Sequence, residues 1–255
     1  MKPLPRLMVA PNGARKTKLD HPAIPMTLDE IVQTAIDCEK AGADGLHLHL
    51  RGPDGAHILD ADLYRQALTA LKTAVPNMAL QITTEAVGIY TPKEQRAIVE
   101  AIQPKHVSIS LAEMLSDGDR DSAIAFYQNC AKRGTAVQHI LYGTNNLSVL
   151  QNMLDRGELA ANDLQLLFVL GRYTQDQQSS PSDLKLFTDW LVNINVPADW
   201  AVCAFGQGET DCLRAAIEAG GKVRVGFENS FFHSDGSLAK SNAERVLEIS
   251  KITDL

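Results

Sequence analysis

The stretch Ala41-Gly42-Ala43-Asp44-Gly45-Leu46-His47-Leu48-His49-Leu50-Arg51 decides the architecture, because a helix ends in it and a strand begins. Upstream, Thr27 and Glu30 have the spacing of a capping box, so a helix starts after Thr27. Gly42 follows its end, where a left-handed residue costs least as glycine. From Gly45 the leucines recur at every second position, which is the period of a strand. Outward in both directions the unit repeats: apolar runs of four to seven residues alternate with 10–16-residue stretches of helical periodicity. Strands are expected at residues 7–10, 45–50, 79–84, 106–110, 136–142, 164–170, 200–205 and 223–227. Thr91 with Glu94 makes a second capping box, Pro92 occupies a first helical position, and Asp60 and Ser182 are suited to cap their helices. Gly134, Gly157 and Gly220 follow other helix ends. Residues 174–181 form a polar loop, and no Pro/Gly/Ser linker divides the chain. Eight right-handed crossovers close most simply into a (β/α)8 TIM barrel, with residues 1–255 as one catalytic domain; a doubly wound open sheet is the alternative.

Length and composition agree. The 255 residues match the roughly 250 of one such barrel. Twenty-four Lys and Arg against 31 Asp and Glu give a net charge of −7, and no basic stripe points to nucleic acid. The longest clean apolar runs are about five residues, far from the roughly 18 of a membrane span. Met1-Lys2-Pro3-Leu4-Pro5 lacks the apolar stretch of a secretory signal, so a cytoplasmic location is expected. Cys38, Cys130, Cys203 and Cys212 are too scattered for a disulfide frame or a cysteine-rich zinc site.

In a barrel of this kind, chemistry gathers at the carboxyl ends of the strands. On the second strand, parity puts His47, His49 and Arg51 on one face and the leucines on the other. Residues two apart on a strand are separated by about 6.6 Å, close enough for both imidazoles to converge on one metal. The plain alternative is a pair of core histidines satisfied by hydrogen bonds. On the last strand Val223, Val225 and Phe227 share one face, leaving Arg224, Gly226 and Glu228 on the other. Glu228 is the best third ligand, although an ion pair with Arg224 would also satisfy it. Two histidines and a glutamate form a recurrent catalytic zinc set. Gln81, Thr83 and Glu85 near strand three, and Ser108 and Ser110 on strand four, complete the alternating ring. Pro11-Asn12-Gly13-Ala14-Arg15-Lys16-Thr17-Lys18 after strand one could meet an anionic substrate, or be solvated. Phe205-Gly206-Gln207-Gly208-Glu209 could offer helix amides to an anion, or be a tight turn.

Taken together, these residues resemble the β-keto acid cleavage enzymes, a family that includes the 3-keto-5-aminohexanoate cleavage enzymes. The similarity runs from Pro11 through Thr17 and Asp20-His21-Pro22 to Ala41-Gly42-Ala43 and His47-Leu48-His49-Leu50-Arg51. It continues in Val169-Leu170-Gly171-Arg172-Tyr173, Trp200-Ala201-Val202-Cys203-Ala204-Phe205-Gly206, Gly220-Gly221, Arg224-Val225-Gly226-Phe227-Glu228-Asn229 and Asn242-Ala243-Glu244. The resemblance implies a zinc-bearing (β/α)8 barrel, commonly a homotetramer, that exchanges acyl groups between a β-keto acid and acetyl-CoA to give acetoacetate and a new acyl-CoA. It implies zinc ligands at His47, His49 and Glu228, a polarising arginine at Arg224 and a hydroxyl at Thr83. It implies a second hydroxyl at Ser108 or Ser110. Asn12, Arg15, Ser110, Gly206 and Asn229 are the candidate substrate contacts.

This chain departs from the family in three places. Asn229 stands where characterised members carry an acid, Arg15 replaces an acidic residue after strand one, and Thr83-Thr84-Glu85-Ala86 replaces a Thr-Gly-Gly turn. An amide cannot usefully accept a proton, so Glu85 becomes the candidate base. Arg15 or Lys16 is the candidate partner for the far end of the substrate or for CoA phosphates. One rival is a metal-dependent amidohydrolase with His139 as a further ligand. Another is a metal- and ligand-binding barrel without catalysis, suggested by Asn229.

Overall fold

Eight parallel strands close on themselves in the computed structural model, which describes residues 3–253. Met1 and Lys2 of the N-terminal stretch read above lie outside the described residues. The strands are β1 (Leu7–Val9), β2 (Gly45–Leu48), β3 (Ala79–Thr83), β4 (His106–Ser110), β5 (Ala136–Leu141), β6 (Leu164–Leu170), β7 (Ala198–Ala204) and β8 (Lys222–Val225). Each pairs in parallel with its neighbours in sequence, and β1 pairs with β8 through Met8 and Arg224 to close the cylinder. The helices that follow them are α1 (Leu28–Lys40), α2 (Ala61–Ala74), α3 (Pro92–Ile102), α4 (Arg120–Arg133), α5 (Thr144–Asp155), α6 (Lys185–Asn193), α7 (Glu209–Glu218) and α8 (Asn242–Thr253). No helix among the described residues is long and apolar enough to cross a membrane.

Local chemistry sets the helix ends. Thr27 and Thr91 accept from the amides of Glu30 and Glu94, whose carboxylates accept from the cap amides in return, and Asp60 caps α2. The expected cap at Ser182 moves to Ser180: Pro181 opens a 3-10 turn there, and Asp183 closes a capping box back on Ser180. Gly134 ends α4 in the left-handed conformation.

Period-two alternation sorts the side chains into two layers. Leu46, Leu48, Ile82, Val107, Ile109, Leu166, Phe168, Val202 and Val225 point outward and pack under the helices as the main core. Leu167, Val169, Ala201 and Cys203 fill the barrel interior beneath Phe205. The interior positions on β3, β4 and β5 are polar instead, with Gln81, Thr83, Ser108, Ser110 and Gln138 all buried. Buried polar groups of this kind cost free energy unless paired, so their arrangement is tied to the site above them.

Two strands end earlier than their apolar pattern suggests. β2 stops at Leu48, and Leu50–Arg51 pairs in a small antiparallel hairpin with His57–Ile58. β8 stops at Val225, because Gly226 has φ +138° and its Cα lies so close to Ala10 that a Cβ would stand 2.5 Å from the Ala10 carbonyl oxygen. The chain then turns over the barrel end, where the Glu228 N–H donates to that same carbonyl at 3.1 Å.

Candidate active site

The two early strand ends build a cluster that could hold a metal ion. His47, inside β2, and His49, just beyond it, bring their Nε2 atoms to 3.0 Å of each other. Glu228, on the turn after β8, places Oε2 3.7 Å from His47 Nε2 and 3.8 Å from His49 Nε2. A tetrahedral ion with bonds of about 2.0–2.1 Å spaces its ligand atoms about 3.3 Å apart, so this trio has the right size for one divalent cation. Glu228 Oε2 is buried and accepts no hydrogen bond from a described residue. A carboxylate oxygen held in that state costs several kcal/mol unless something else meets it.

A buried relay fixes which nitrogen of His47 faces the cluster. Gln138 Nε2 donates to the Leu166 carbonyl, and Gln81 Nε2 donates to Gln138 Oε1. Gln81 Oε1 is thereby left to accept from His47 Nδ1, at 2.9 Å. The proton sits on Nδ1, and Nε2 offers its lone pair to the trio. Burial, with Arg224 nearby, pulls the His47 imidazole down to about 4, and burial beside His47 pulls His49 well below its usual value. Both rings are therefore neutral at pH 7, the state a metal requires. Burial alone would raise the Glu228 carboxyl, but Arg224 and His47 outweigh it and hold it low.

Above the trio lies a cavity of about 130 Å³ at the carboxyl ends of the strands. One wall is apolar, formed by Ile140, Tyr142, Val169 and Phe205. The other carries His47, His49, Glu228, Thr83, Ser110, Asn12, Arg15, Glu85 and Arg224, so these nine expected site residues do come together. Arg224 points Nη2 at Glu228 Oε1 and at Cys203 Sγ, both 3.5 Å away, while its Nε and Nη1 donate to no described residue. Thr83 Oγ1 accepts from the Glu85 N–H at 3.0 Å and orients that residue. Glu85 Oε2 lies 3.9 Å from His49 Nδ1. Burial first, and the Glu228 charge second, push the Glu85 carboxyl up to about 7.

Three expected site residues do not line the cavity. Ser108 is one layer down β4 from Ser110, so its buried hydroxyl lies beneath the floor. Gly206 serves the neighbouring loop: a Cβ there would stand 2.6 Å from the Gln177 carbonyl oxygen, and the adjacent Gln207 amide donates to Gln178 Oε1. The segment packs here as a tight turn against the loop of residues 177–179. Asn229 is buried outside the lining, its amide making no hydrogen bond to a described residue. Arg51 leaves the His47 and His49 face because the hairpin breaks the strand parity. It donates to the carbonyls of Gly13, Lys16 and Gly55 and so ties the loop after β1 to β2. Lys16 borders the cavity, but its ammonium donates to the Phe227 carbonyl at 2.9 Å and sits over the Phe231 ring.

His139 faces the helix layer, with its ring 5.0 Å from that of Tyr127, and cannot join the trio. The further ligand that an amidohydrolase would draw from this strand is therefore missing from the site. Glu113 and Arg172 line the cavity and were not picked out from the sequence. Glu113 Oε2 accepts from the Ala86 N–H and from Gln95 Nε2. Both residues stand within three positions of the end of a strand, β4 and β6, and that placement is the signal that would have found them.

A model of the β-keto acid cleavage enzyme family matches residues 6–255. The 3-keto-5-aminohexanoate cleavage enzyme of Acetoanaerobium sticklandii is 27% identical over 247 residues, covering 94% of this chain and 88% of that protein. The 3-dehydrocarnitine:acetyl-CoA trimethylamine transferase of Rhizobium meliloti is 27% identical over 266 residues, covering 93% and 86%. Among solved structures, the ternary complex of ObcA with C4-CoA adduct and oxalate superposes with a TM-score of 0.71 at 16% identity. The match covers 90% of this chain but only 63% of that one, and it shows the shared barrel fold.

Proposed function

Because the chain belongs to the β-keto acid cleavage enzyme family, we propose that it exchanges acyl groups between a β-keto acid and acetyl-CoA, releasing acetoacetate and a new acyl-CoA. The observation that carries this reading is the convergence of His47, His49 and Glu228 under a cavity whose other polar groups suit enolate chemistry. Their donor set, two neutral imidazoles and a carboxylate, fits Zn2+. When bound there, the cation supplies Lewis-acid stabilisation of negative charge on the carboxylate and ketone oxygens of the substrate.

The chain's own residues do the rest. Glu85 reaches the cavity next to His49 and takes the proton from the carbon between the two carbonyls. Asn229, unable to act as a base, is outside the lining, so its amide does not remove the proton acceptor from the cavity. The carbanion attacks the acetyl thioester carbonyl and expels CoA thiolate, forming a carbon–carbon bond. The thiolate then attacks the original ketone, and the bond between that carbon and the former carbanion breaks. This yields the new thioester and the acetoacetate carbanion, which Glu85 reprotonates. Arg224, whose Nε and Nη1 donate to no described residue, stabilises the oxyanion of each addition, and Ser110 and Thr83 offer hydroxyls at the same rim.

Elemental analysis of the purified protein, paired with a panel of β-keto acids and acetyl-CoA assayed for acetoacetate, tests the reading. Zinc near one equivalent, lost in His47→Ala with the circular dichroism retained, is expected. Failure of every β-keto acid to give acetoacetate would defeat it. Residues 1–255 acting as one cytoplasmic catalytic barrel, assembled as a homotetramer, belong to the same proposal; light scattering of the purified protein measures the subunit count.

A further inference from the structure

Two guanidinium forks at the cavity mouth share one carboxylate, that of Glu85, and meet it only at long range. Arg172 follows β6 and brings Nη2 to 3.6 Å from Glu85 Oε1, and Arg15, on the loop after β1, brings Nε to 4.0 Å from the same oxygen. Both gaps are too long for hydrogen bonds. Arg15 is well exposed and loses little by this. Arg172 is only 19% exposed at its side chain and lies over the Phe205 ring, so its fork has given up much of its water for one long ion pair with a carboxylate it shares with Arg15.

Charge and distance say what is missing. The lining holds four basic residues against three acidic ones, so it is net positive even before a divalent cation is added. Glu85 spans from His49, on the ligand side, to both forks, which places them one carboxyl group away from the ligand imidazole. The apolar wall flanking them, Val169 and Phe205, suits a short methylene chain.

We infer that the β-keto acid is a dicarboxylate, with its second carboxylate held by Arg172 and Arg15. This rests on the β-keto acid reading above. The first carboxylate and the ketone face the His47, His49 and Glu228 trio, the methylenes cross the apolar wall, and the second carboxylate meets the planar forks, whose geometry suits bidentate capture. A substrate ending in an amine would be repelled by both arginines, and one ending in a methyl would leave them unmet. An anion at this place could also be a phosphate of CoA, which the test separates.

Zinc-loaded protein with acetyl-CoA is assayed on 3-oxoadipate, 3-oxohexanoate and 5-amino-3-oxohexanoate, which have six-carbon backbones and differ in the charge they carry at the far end. The expected kcat/KM for 3-oxoadipate exceeds that for the other two by at least about tenfold, the scale of one charge-assisted hydrogen bond. In Arg172→Met the ratio to 3-oxohexanoate falls to about one, with KM for acetyl-CoA near that of the parent. Equal or better turnover of the neutral or cationic compound by the parent overturns the dicarboxylate assignment and leaves the β-keto acid reading standing. A variant that keeps the ratio but raises KM for acetyl-CoA assigns the forks to CoA and overturns it as well. Absence of acetoacetate from all three, and from shorter dicarboxylates such as 3-oxoglutarate, brings down the β-keto acid reading and this assignment together.

Discussion

Gly13 lies directly against Glu228: a Cβ built on it would stand 2.6 Å from Glu228 Cγ, and its φ is +62°. The loop cannot move aside, because Arg51 Nη2 donates to the carbonyls of both Gly13 and Lys16, at 2.6 and 2.8 Å. Gly13→Ala therefore has to displace the carboxylate from the trio. A drop in Zn2+ affinity of at least about tenfold is expected, with about 1–2 kcal/mol lost from stability for the left-handed alanine. Competition against a chromophoric chelator measures the affinity. A value within twofold of the parent would show that Glu228 is not held from this side.

The Gln81–Gln138 relay makes a separate prediction about the imidazole side of the cluster. Gln81→Leu removes the acceptor for His47 Nδ1, so the tautomer that presents Nε2 is no longer enforced, and Gln138 Oε1 loses its donor. Loss of the partner of a metal-bound histidine commonly costs about 10–100-fold in affinity. The same chelator competition, together with the visible spectrum of the Co2+-substituted protein, reads this change. An unaltered Co2+ spectrum and affinity would show the relay to be packing alone.

The barrel and the pairing of His47 with His49 are legible in the sequence because both rest on periodicity. Leu46, Leu48 and Leu50 announce a strand, and the same period of two puts His47 and His49 on the opposite face. Arg51 fails the same rule because parity holds only while the chain stays extended in one sheet, and β2 ends at Leu48. Arg172 and Glu113 are hidden for a related reason. They enter the cavity from the turn after β6 and from the single helical turn Leu111–Met114 after β4, segments too short for any repeat to tell a reader which way a side chain points. Gly206 and Gly208 look like an anion cradle in sequence, yet what they leave room for is the protein's own chain. A Cβ on Gly208 would come 2.2 Å from the Ser179 carbonyl oxygen. Glycine spacing does not distinguish a ligand's approach from that of a neighbouring loop.

Glu85 sits between the His49 imidazole and the mouth, with its amide held by Thr83. Glu85→Gln keeps the shape and removes the proton acceptor. A fall in kcat of about 10²–10⁴-fold is expected, the usual worth of a positioned general base, with the bound zinc unchanged by elemental analysis. Exchange of the substrate's C2 protons with deuterated solvent, followed by NMR without acetyl-CoA, should disappear in parallel. Persistent exchange in the variant would move the base role to another group, and Glu113, also on the cavity wall, would be the next to test.

Away from the site, Glu30 gives a pH-dependent test of how α1 is anchored. Its carboxylate pairs with Lys18 at 2.6 Å and accepts from the amides of Met26 and Thr27, closing the capping box that starts the helix. The Lys18 ammonium foremost, with those amides, holds the group at about 2 against an ordinary value of 4.5. A carboxylate whose folded value is depressed contributes stability above its unfolded value and loses it as pH falls through the folded one, here between about 4.5 and 2. The side chain is 38% exposed, so screening by solvent reduces the contribution to about 1 kcal/mol, well short of what the shift alone would imply. Glu30→Gln should then be less stable than the parent by about 1 kcal/mol at pH 7 in urea unfolding. That difference should shrink with added salt and vanish as the pH approaches 2. A gap that stays constant across the series would mean that the glutamine has disturbed the cap geometry rather than removed a charge.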